Sequence, residues 1–400
     1  MACATTIVNP GMTIFDSYTF PKTEPLLFTD VSERKVVLLA TQNISYDNIF
    51  SNGLFQNVIF IYEMMEVMGF STFLLVNTKD SKDDSNSEFR KYRTIVSEEI
   101  VRNPMPIYAY VEIGMSVSSA LRVYLRSIGA KIVKLYLGNI LNIDVETIQS
   151  TPGLFFPHHI VGDLDEIWTS PHYGQNRDYA TVLNRVPIEM SQIAPYVWDP
   201  LIITDFGKNM IRWKRPSDWK TSDIVIVEPN ISFQKSYMLP LLLVNSFAEN
   251  NPEWRGSVIL MNADVIKKNV HAVTAVLPKI KLYTDGRVKM NGRKTILEIV
   301  KDNPSAVFVC HQFNNDFNYM TFELMYMGFP LLHTSSAWAD FGYKWSEIKW
   351  KSAQDTLKLA VKNHHTVADS YTAHSRQLLW HHSIHNPENH KGWKKILGGI

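Results

Sequence analysis

The stretch AVFVCHQFNNDFNYMTFELMYMGFPLLH, residues 306–333, decides the fold of this chain. Its apolar first residues predict a buried strand that stops at His311, where a polar loop begins. A helix is predicted over 317–327, ending at Gly328, and a second buried strand over 330–333. Because open α/β sheets bind ligands beyond the carboxyl ends of their strands, this polar loop is a candidate site.

The same alternation of strands and helices runs through most of the chain. Strands are also predicted over 36–41, 72–77, 107–112, 131–137, 166–169, 223–227, 257–261 and 280–283. Helices are predicted over 53–68, 89–101, 117–128, 233–248, 265–276, 294–301 and 353–362. Continuous Val/Ile/Leu runs indicate strands covered on both faces, hence parallel sheets. The predicted fold class is therefore α/β, with two Rossmann-like doubly wound domains facing a central cleft.

The domain boundary is predicted in the segment after residue 197, which carries Trp198-Asp199-Pro200 and then basic and aromatic residues. Residues 1–203 would form the N-terminal, acceptor-binding domain, and residues 204–369 the C-terminal, donor-binding domain. Residues 370–400 are predicted to be helical in places and to cross back to the first domain.

Composition excludes several classes of protein. The 400 residues include only two cysteines, Cys3 and Cys310, too few for a disulfide framework or a four-cysteine zinc site. No apolar run approaches the roughly 20 residues that span a bilayer, and no signal peptide is recognisable. The chain is expected in the cytoplasm, of a bacterial cell or of an infected host cell.

Charge is distributed unevenly along the chain. Residues 1–200 hold 15 Lys and Arg against 22 Asp and Glu, whereas residues 201–400 hold 25 against 17. The second half is therefore better suited to an anionic ligand such as a nucleotide diphosphate, unless the imbalance is ordinary surface variation.

The segment after the first strand is the first candidate for donor binding. Gly53 opens a helix, where free backbone N–H groups and the helix dipole favour a phosphate. Gln56 and Asn57, on its first turn, offer further hydrogen bonds. No G-x-G-x-x-G fingerprint is present, so a dinucleotide site is not indicated.

Lys235 is the second candidate, predicted on the first turn of the helix over 233–248. A cation there opposes the helix dipole, which makes sense if it meets a phosphate. The alternative is an exposed, tolerated lysine.

The polar loop and the helix after it supply the remaining donor-binding candidates. Glu323 stands in an otherwise apolar helix, and a buried carboxylate there could accept both hydroxyl groups of a ribose, or form a salt bridge. His311 could contact phosphate or sugar, or be a hydrogen-bonded loop residue. The others are Gln312, Asn315, Asn318 and Tyr319, and Asn318 could be only a helix cap.

Two residues are candidates for catalysis at the ends of first-domain strands. Asp47 and His172 are placed to act as a base, although a structural role is the alternative for His172. The adjacent pairs His158-His159 and His364-His365 do not share a helix or strand face, so no metal site is predicted. No other cofactor is expected.

The run over 322–332 resembles the Glu-Ala-x-Ala-x-Gly-x-Pro-Val segment of GT-B glycosyltransferases of the glycogen-synthase-like, retaining kind. The resemblance implies that Glu323 binds the donor ribose. The earlier glutamate of that family falls on Asn315, and its Arg-x4-Lys pair near the diphosphate falls on Asn230 and Lys235, so only the lysine is kept.

A closer resemblance is to a GT-B-like family of bacterial and phage proteins whose function is inferred rather than secure. It spans both predicted domains, over about residues 36–335. The matching residues are Asn52-Gly53, Gln56-Asn57, His311-Gln312, Asn315, Asn318-Tyr319, Glu323 and Gly328-Phe329-Pro330-Leu331.

These resemblances imply a hexosyl- or pentosyltransferase that moves a sugar from a nucleoside-diphosphate sugar to a hydroxyl group, without a metal. The acceptor is a glycan or small molecule; alternatively it is a hydroxymethylated base in phage DNA, an option that basic stretches at 212–215 and 279–294 support and the acidic first half opposes. A nucleotide-sugar epimerase and an inactive GT-B scaffold are further alternatives. Inverting and retaining chemistry both stay open.

Overall fold

The computed structural model describes residues 34–50, 53–78, 91–150, 159–171, 173–206, 211–230 and 232–398, without the side chains of residues 46, 47 and 206. Two sheets, both parallel throughout, organise the chain. The strands of the first sheet are β1 (Val36–Ala40), β2 (Ser71–Leu75), β3 (Thr94–Ile95), β4 (Ile107–Glu112), β5 (Lys131–Tyr136), β6 (Glu166–Thr169) and β7 (Ser191–Ile193).

The second sheet is formed by the later part of the chain. Its strands are β8 (Ile224–Ile226), β9 (Val258–Leu260), β10 (Val288–Met290), β11 (Val307–Val309), β12 (Leu331–His333) and β13 (Tyr343–Lys344). The spatial orders are β3-β2-β1-β4-β5-β6-β7 and β10-β9-β8-β11-β12-β13. In each sheet, successive strands are added first on one side of the first strand and then on its other side, which is the doubly wound arrangement. This confirms the predicted α/β fold class.

The helices between the strands are α1 (Tyr46–Ile49), α2 (Gly53–Val67), α3 (Ser97–Arg102), α4 (Ser119–Ser127), α5 (Ile140–Ser150), α6 (Gly174–Asn184), α7 (Leu201–Phe206), α8 (Met238–Asn250), α9 (Asp264–Lys268), α10 (Lys281–Thr284), α11 (Ile296–Asp302), α12 (Tyr319–Tyr326), α13 (Trp350–His382) and α14 (Pro387–Ile396).

Two of the predicted elements were wrong in type. Residues 280–283, predicted as a strand, belong to helix α10, and the strand comes later as β10. The helix predicted over 89–101 is interrupted, because Thr94–Ile95 pairs with β2 as strand β3 and α3 starts only at Ser97.

The stretch over 306–333 folds as its pattern predicts. Strand β11 pairs with β12 in parallel, and α12 connects them. Gly328 ends the helix with φ at 75°, a left-handed conformation that glycine adopts at low cost, and Phe329 N–H returns to the Leu324 carbonyl at 3.0 Å. The loop between β11 and α12 is therefore held at the carboxyl edge of the second sheet.

The last two helices return to the first sheet. At the end of α13, His382 Nδ1 lies 2.9 Å from the Tyr196 carbonyl oxygen. On α14, the indole N–H of Trp393 donates to the Pro195 carbonyl at 3.1 Å, and its ring packs edge-on against Trp168 at 5.7 Å. These contacts attach the C-terminal segment to the domain that contains β6.

Aromatic side chains join the two sheets into one continuous core. Tyr196 and Trp198, from the connection after β7, pack against Tyr319 and Phe322 of α12, with ring centroids 5.2–6.2 Å apart. Phe60 of α2 completes the cluster at 5.2 Å from Tyr319. Helix α12 is thus held between the two sheets, which places its first turn at the boundary of the domains.

Among the residues that the structure describes, no helix combines the length and apolar character needed to cross a membrane.

Candidate functional site

Polar residues collect where β8, β11 and β12 end. In the second sheet the chain reverses between β8 and its neighbour β11, so their carboxyl ends flank the crevice in which such sheets bind ligands. Residues 228–235 follow β8, and residues 311–318 follow β11. The site predicted from the polar loop after Cys310 therefore stands at the switch point of the second sheet.

The segment after β8 is a tight turn held by Asn230. That residue has φ at 58°, and its side chain accepts from the Tyr237 N–H at 2.8 Å and donates to the Glu228 carbonyl at 2.9 Å. Lys235 bridges back to Ser232 within this turn, and α8 begins only at Met238. The prediction that Lys235 lies on the first turn of a helix was wrong, because Asn230 holds the backbone in a turn as far as Tyr237.

Glu228, which is fully buried, and Lys235, which is half-buried, interact electrostatically in that turn. Burial raises the pKa of the Glu228 carboxyl group to about 8 and lowers that of the Lys235 ammonium group, while the attraction between the two opposes both shifts. Glu228 Oε1 accepts from the His311 N–H at 2.9 Å, and Oε2 has no hydrogen-bond partner among the described residues. The Lys235 ammonium group makes no hydrogen bond or ion pair to another described residue.

Further buried polar atoms beside this pair also lack partners within the described ranges. They are His311 Nδ1, both amide atoms of the Gln312 side chain and Gln234 Nε2. Burial lowers the pKa of His311, so its imidazole is neutral at pH 7. Leaving such groups unpaired costs about 1–3 kcal/mol each, so a ligand that hydrogen-bonds to them would be favoured here.

The sequence prediction did not select Glu228 or Gln234. Glu228 is a charged residue directly after an apolar strand, the same signal that singled out His311. Gln234 was unremarkable in sequence; only the structure shows its backbone carbonyl accepting from the Phe313 N–H at 2.8 Å.

Helices α2 and α12 meet across the domain boundary. Gln56 Nε2 donates to Glu323 Oε1 at 3.0 Å, and the Tyr319 hydroxyl donates to Asn57 Oδ1. All four side chains are buried. These residues, predicted separately to bind donor, are thus brought together in direct contact.

Gly53 and Asn318 stand at the starts of these two helices. A Cβ atom added at Gly53 would lie 3.5 Å from the Tyr319 ring, so the amino end of α2 faces that of α12. The Asn318 side chain accepts from the Met320 N–H at 3.2 Å and therefore acts as the N-cap of α12, the alternative role considered for it.

Asn315 bridges the two domains at the other side of the polar loop. Its Oδ1 accepts from the Tyr173 hydroxyl, and its Nδ2 lies 3.5 Å from Gln234 Oε1. The neighbouring Asn314 carbonyl accepts from Asn139 Nδ2 at 2.7 Å. The ends of β5 and β6 therefore face the polar loop after β11.

The two catalytic candidates lie outside what the structure describes. His172 falls between the described ranges, and for Asp47 the description covers the backbone in α1 but not the side chain. No group of three or more His, Cys, Asp or Glu side chains in the described part of the chain could hold a metal ion.

Glu323 gives the first testable prediction. Burial raises the pKa of its carboxyl group to about 7 from an ordinary 4.5, and the hydrogen bond from Gln56 opposes the shift. The stability that the protonated group contributes is complete below about pH 4.5 and is lost as pH rises through about 7. The neutral variant Glu323→Gln does not lose this stability. Its free energy of unfolding, relative to that of the native chain, should therefore rise between pH 5 and pH 8 by up to about 3 kcal/mol.

Urea unfolding at pH 5, 6, 7 and 8 measures this difference. Glu189→Gln, on an exposed residue, is the matched control and should show no such trend. A difference for Glu323→Gln that is the same at every pH would contradict the raised pKa.

Comparisons with known proteins identify a family and a shared architecture. A family model described as "Protein of unknown function (DUF2827)" matches residues 37–397. No curated protein matches the sequence.

Three solved structures share the architecture. A glycosyltransferase from Rickettsia africae ESF-5 has a TM-score of 0.54 at 11% identity, over 92% of this chain and 100% of that one. The α,α-trehalose 6-phosphate synthase of Burkholderia multivorans has a TM-score of 0.57 at 11% identity, over 92% and 98%. An α-glucosyltransferase solved with UDP and a 13-mer DNA containing an HMU base has a TM-score of 0.56 at 11% identity, over 91% and 99%. At such identity the likeness establishes the fold, which is that of GT-B glycosyltransferases.

Proposed function

The chain belongs to the DUF2827 family of proteins of unknown function, and we propose that it is a glycosyltransferase that moves a sugar from a nucleoside-diphosphate sugar to a hydroxyl group. The observation that carries this proposal is the half-buried Lys235 ammonium group, which makes no hydrogen bond to another described residue, beside buried Glu228 at the switch point of the second sheet. A partly desolvated cation without a hydrogen-bonding partner favours the binding of an anion.

Lys235 would bind the diphosphate of the donor. A diphosphate there would restore the charge that burial disfavours and would stabilise the leaving group as the glycosidic bond breaks. The amino end of α2 at Gly53 faces the same boundary and would add backbone N–H donors. Because these groups neutralise the leaving diphosphate, the proposed reaction needs no metal.

Glu323 would bind the ribose of the donor. Its Oε1 already accepts from Gln56, so a ribose hydroxyl that binds there would share that oxygen with the Gln56 amide, and a second hydroxyl could bind Oε2. A shared oxygen would link donor binding to the contact between α2 and α12. Two hydroxyl donors would also favour the ionised carboxylate and lower its pKa.

His311, Gln312 and Asn315 would complete the donor site. These three residues lie among Glu228, Gln234 and Tyr173. Their amide and imidazole groups would therefore stand beside the sugar and diphosphate of the donor. Catalysis would rest on holding donor and acceptor in reactive geometry. Asp47 and His172 stay the predicted candidates for a base, which an inverting reaction needs and a retaining one need not use.

The acceptor is proposed to be a saccharide or small molecule rather than DNA. The α-glucosyltransferase with a DNA ligand keeps the DNA alternative open. However, three cations of the basic stretch over 279–294 are used locally: Arg287 donates to the Gly256 carbonyl, Lys281 pairs with Asp285, and Lys294 pairs with Asp302. The two ion pairs lower the charge that this stretch presents to DNA phosphates, although it still carries more cations than anions.

Thermal unfolding with UDP, GDP, ADP and TDP tests the proposal. A nucleoside diphosphate at about 100 times its dissociation constant should add about 2.7 kcal/mol to the free energy of unfolding. The corresponding nucleotide sugars are then incubated with the protein, with and without a mixture of saccharides, and the products are separated by mass. Stabilisation followed by acceptor-dependent release of the diphosphate is the expected result.

Other outcomes would select the alternatives. Conversion of the nucleotide sugar to its epimer without an acceptor would indicate an epimerase. No stabilisation by any of the four diphosphates would contradict the proposed function and favour an inactive scaffold.

A further inference from the structure

Two phenylalanine rings lie side by side at the edge of the cleft. Phe233 and Phe313 have ring centroids 5.9 Å apart and side chains that are 50% and 45% exposed. They are the only two aromatic side chains in the described part of the chain that are so exposed. Exposed apolar residues are ordinary when they are scattered singly, so the pairing of these two exposed rings indicates a binding surface.

The backbone under both rings is fixed. The Phe233 N–H donates to Glu146 Oε1 at 3.2 Å, and Ser232 Oγ donates to Glu146 Oε2 at 2.8 Å. The Phe313 N–H donates to the Gln234 carbonyl at 2.8 Å. Glu146 stands on α5 in the first domain, so the ring pair lies where the two domains meet, two residues along the turn from Lys235.

We propose that Phe233 and Phe313 form an aromatic platform that binds the face of a saccharide acceptor beside the donor site, a proposal that rests on the glycosyltransferase function above. A flat apolar surface suits the C–H face of a sugar ring, and nearby carboxylate and amide groups suit its hydroxyl groups. Both kinds of group are present, as the side chains of Glu146 and Asn315.

Charge favours a neutral saccharide over a nucleic acid at this platform. The carboxylate of Glu146 lies against the backbone of Phe233, and the first half of the chain carries seven more acidic than basic residues. Nucleic-acid sites neutralise phosphates with Lys and Arg, and an acidic side chain at the edge repels them. A flipped base on the platform is the competing possibility, because bases also stack on exposed aromatic rings.

The test removes the rings and measures saccharide binding without turnover. Saturation-transfer NMR is recorded with methyl glucosides, galactosides and mannosides and with maltotriose and cellotriose, in the presence of the nucleoside diphosphate that stabilises the protein most. The native chain should give signals with at least one of these sugars. The Phe233→Ala/Phe313→Ala variant should lose at least fivefold of that signal, whereas Phe233→Tyr/Phe313→Tyr should keep it.

The matched control is Val270→Ala/Leu359→Ala, which removes two exposed apolar side chains elsewhere in the second domain and should keep the saccharide signal. Stabilisation by the nucleoside diphosphate should be unchanged in all three variants, which shows that they fold. If no saccharide binds, or if the double-alanine variant binds as the native chain does, the platform is overturned.

Two further readings separate this proposal from its alternatives. Fluorescence anisotropy with a 13-mer duplex containing hydroxymethyluracil should show no binding that depends on the rings; ring-dependent DNA binding would overturn the saccharide assignment. Ring-dependent saccharide binding without any nucleoside-diphosphate binding would keep the platform and overturn the glycosyltransferase function.

Discussion

The Lys235→Met variant is expected to lower kcat/KM for the nucleotide-sugar donor by about 10²–10³-fold, the loss typical when one group that stabilises a transition-state charge is removed. Lys235 is a half-buried cation in the turn after β8 without a hydrogen bond to another described residue, and burial lowers its pKa. Methionine keeps the length and apolar character of the lysine alkyl chain but cannot balance the negative charge of a diphosphate. Steady-state kinetics with donor concentration varied measure the change.

Stability separates this effect from damage to the fold. The neighbouring Glu228 carboxyl group has a pKa raised to about 8, so it is largely neutral at pH 7 and tolerates the loss of its cationic neighbour. The free energy of unfolding of Lys235→Met should therefore lie within about 1 kcal/mol of that of the native chain. Lys301→Met, on an exposed lysine of α11, is the control and should leave the kinetics unchanged. Full activity in Lys235→Met would remove Lys235 from the donor site.

The Glu112→Gln variant is expected to lose about 3–5 kcal/mol of stability, because it leaves buried cations without a counter-charge. Glu112, at the end of β4, is fully buried and lies 2.8 Å from Arg122 and 3.3 Å from Lys134. Its pKa is lowered although burial raises it, since Lys134, Ser116 and Arg122 favour the carboxylate. Urea unfolding at pH 7 gives the loss directly.

A second substitution identifies the cause of that loss. Glu112→Gln/Lys134→Met removes one of the two buried cations that Glu112→Gln leaves without a counter-charge. The double variant should therefore recover part of the stability that Glu112→Gln loses. The control, Asp355→Asn, breaks an exposed pair with Lys351 and should cost at most about 1 kcal/mol. A loss for Glu112→Gln no larger than that of Asp355→Asn would contradict the importance of this buried cluster.

The fold was predictable where each local pattern agreed with the final packing. Apolar runs such as those of β1 and β4 predict strands because both faces of a parallel strand are covered. The failures have local causes. Residues 279–283 alternate Lys and apolar side chains, the pattern of a half-buried strand, yet helix α10 begins at Lys281, and the true strand β10 is only three residues long.

Helix α13 shows a different limit of pattern reading. The sequence predicts a helix over 353–362, whereas α13 runs from Trp350 to His382. Several of its buried positions are polar, including His364, Thr372 and Ser375, so the apolar periodicity fades in the middle. His364 finds its partner outside the helix, since its Nδ1 lies 2.8 Å from the Tyr343 hydroxyl.

For the candidate site, strand ends and residue types were visible in sequence but partners were not. Gln56 and Glu323 were each selected, yet no local rule predicts that they bond to each other across 267 positions. Lys235 was selected for an incorrect reason, since it stands in a turn rather than in the first turn of a helix. The unpaired atoms around His311 and Gln312 depend on packing between strands and emerge only in three dimensions.

Hydrogen–deuterium exchange with the most stabilising nucleoside diphosphate tests the central claim, that the crevice at the ends of β8 and β11 holds the diphosphate. Slower exchange is predicted for backbone amides in residues 229–237 and 311–320 and at the start of α2. The Lys235→Met variant should lose this protection at the same ligand concentration. Protection confined to the separate pocket between residues 213–219 and 361–365 would contradict the claim.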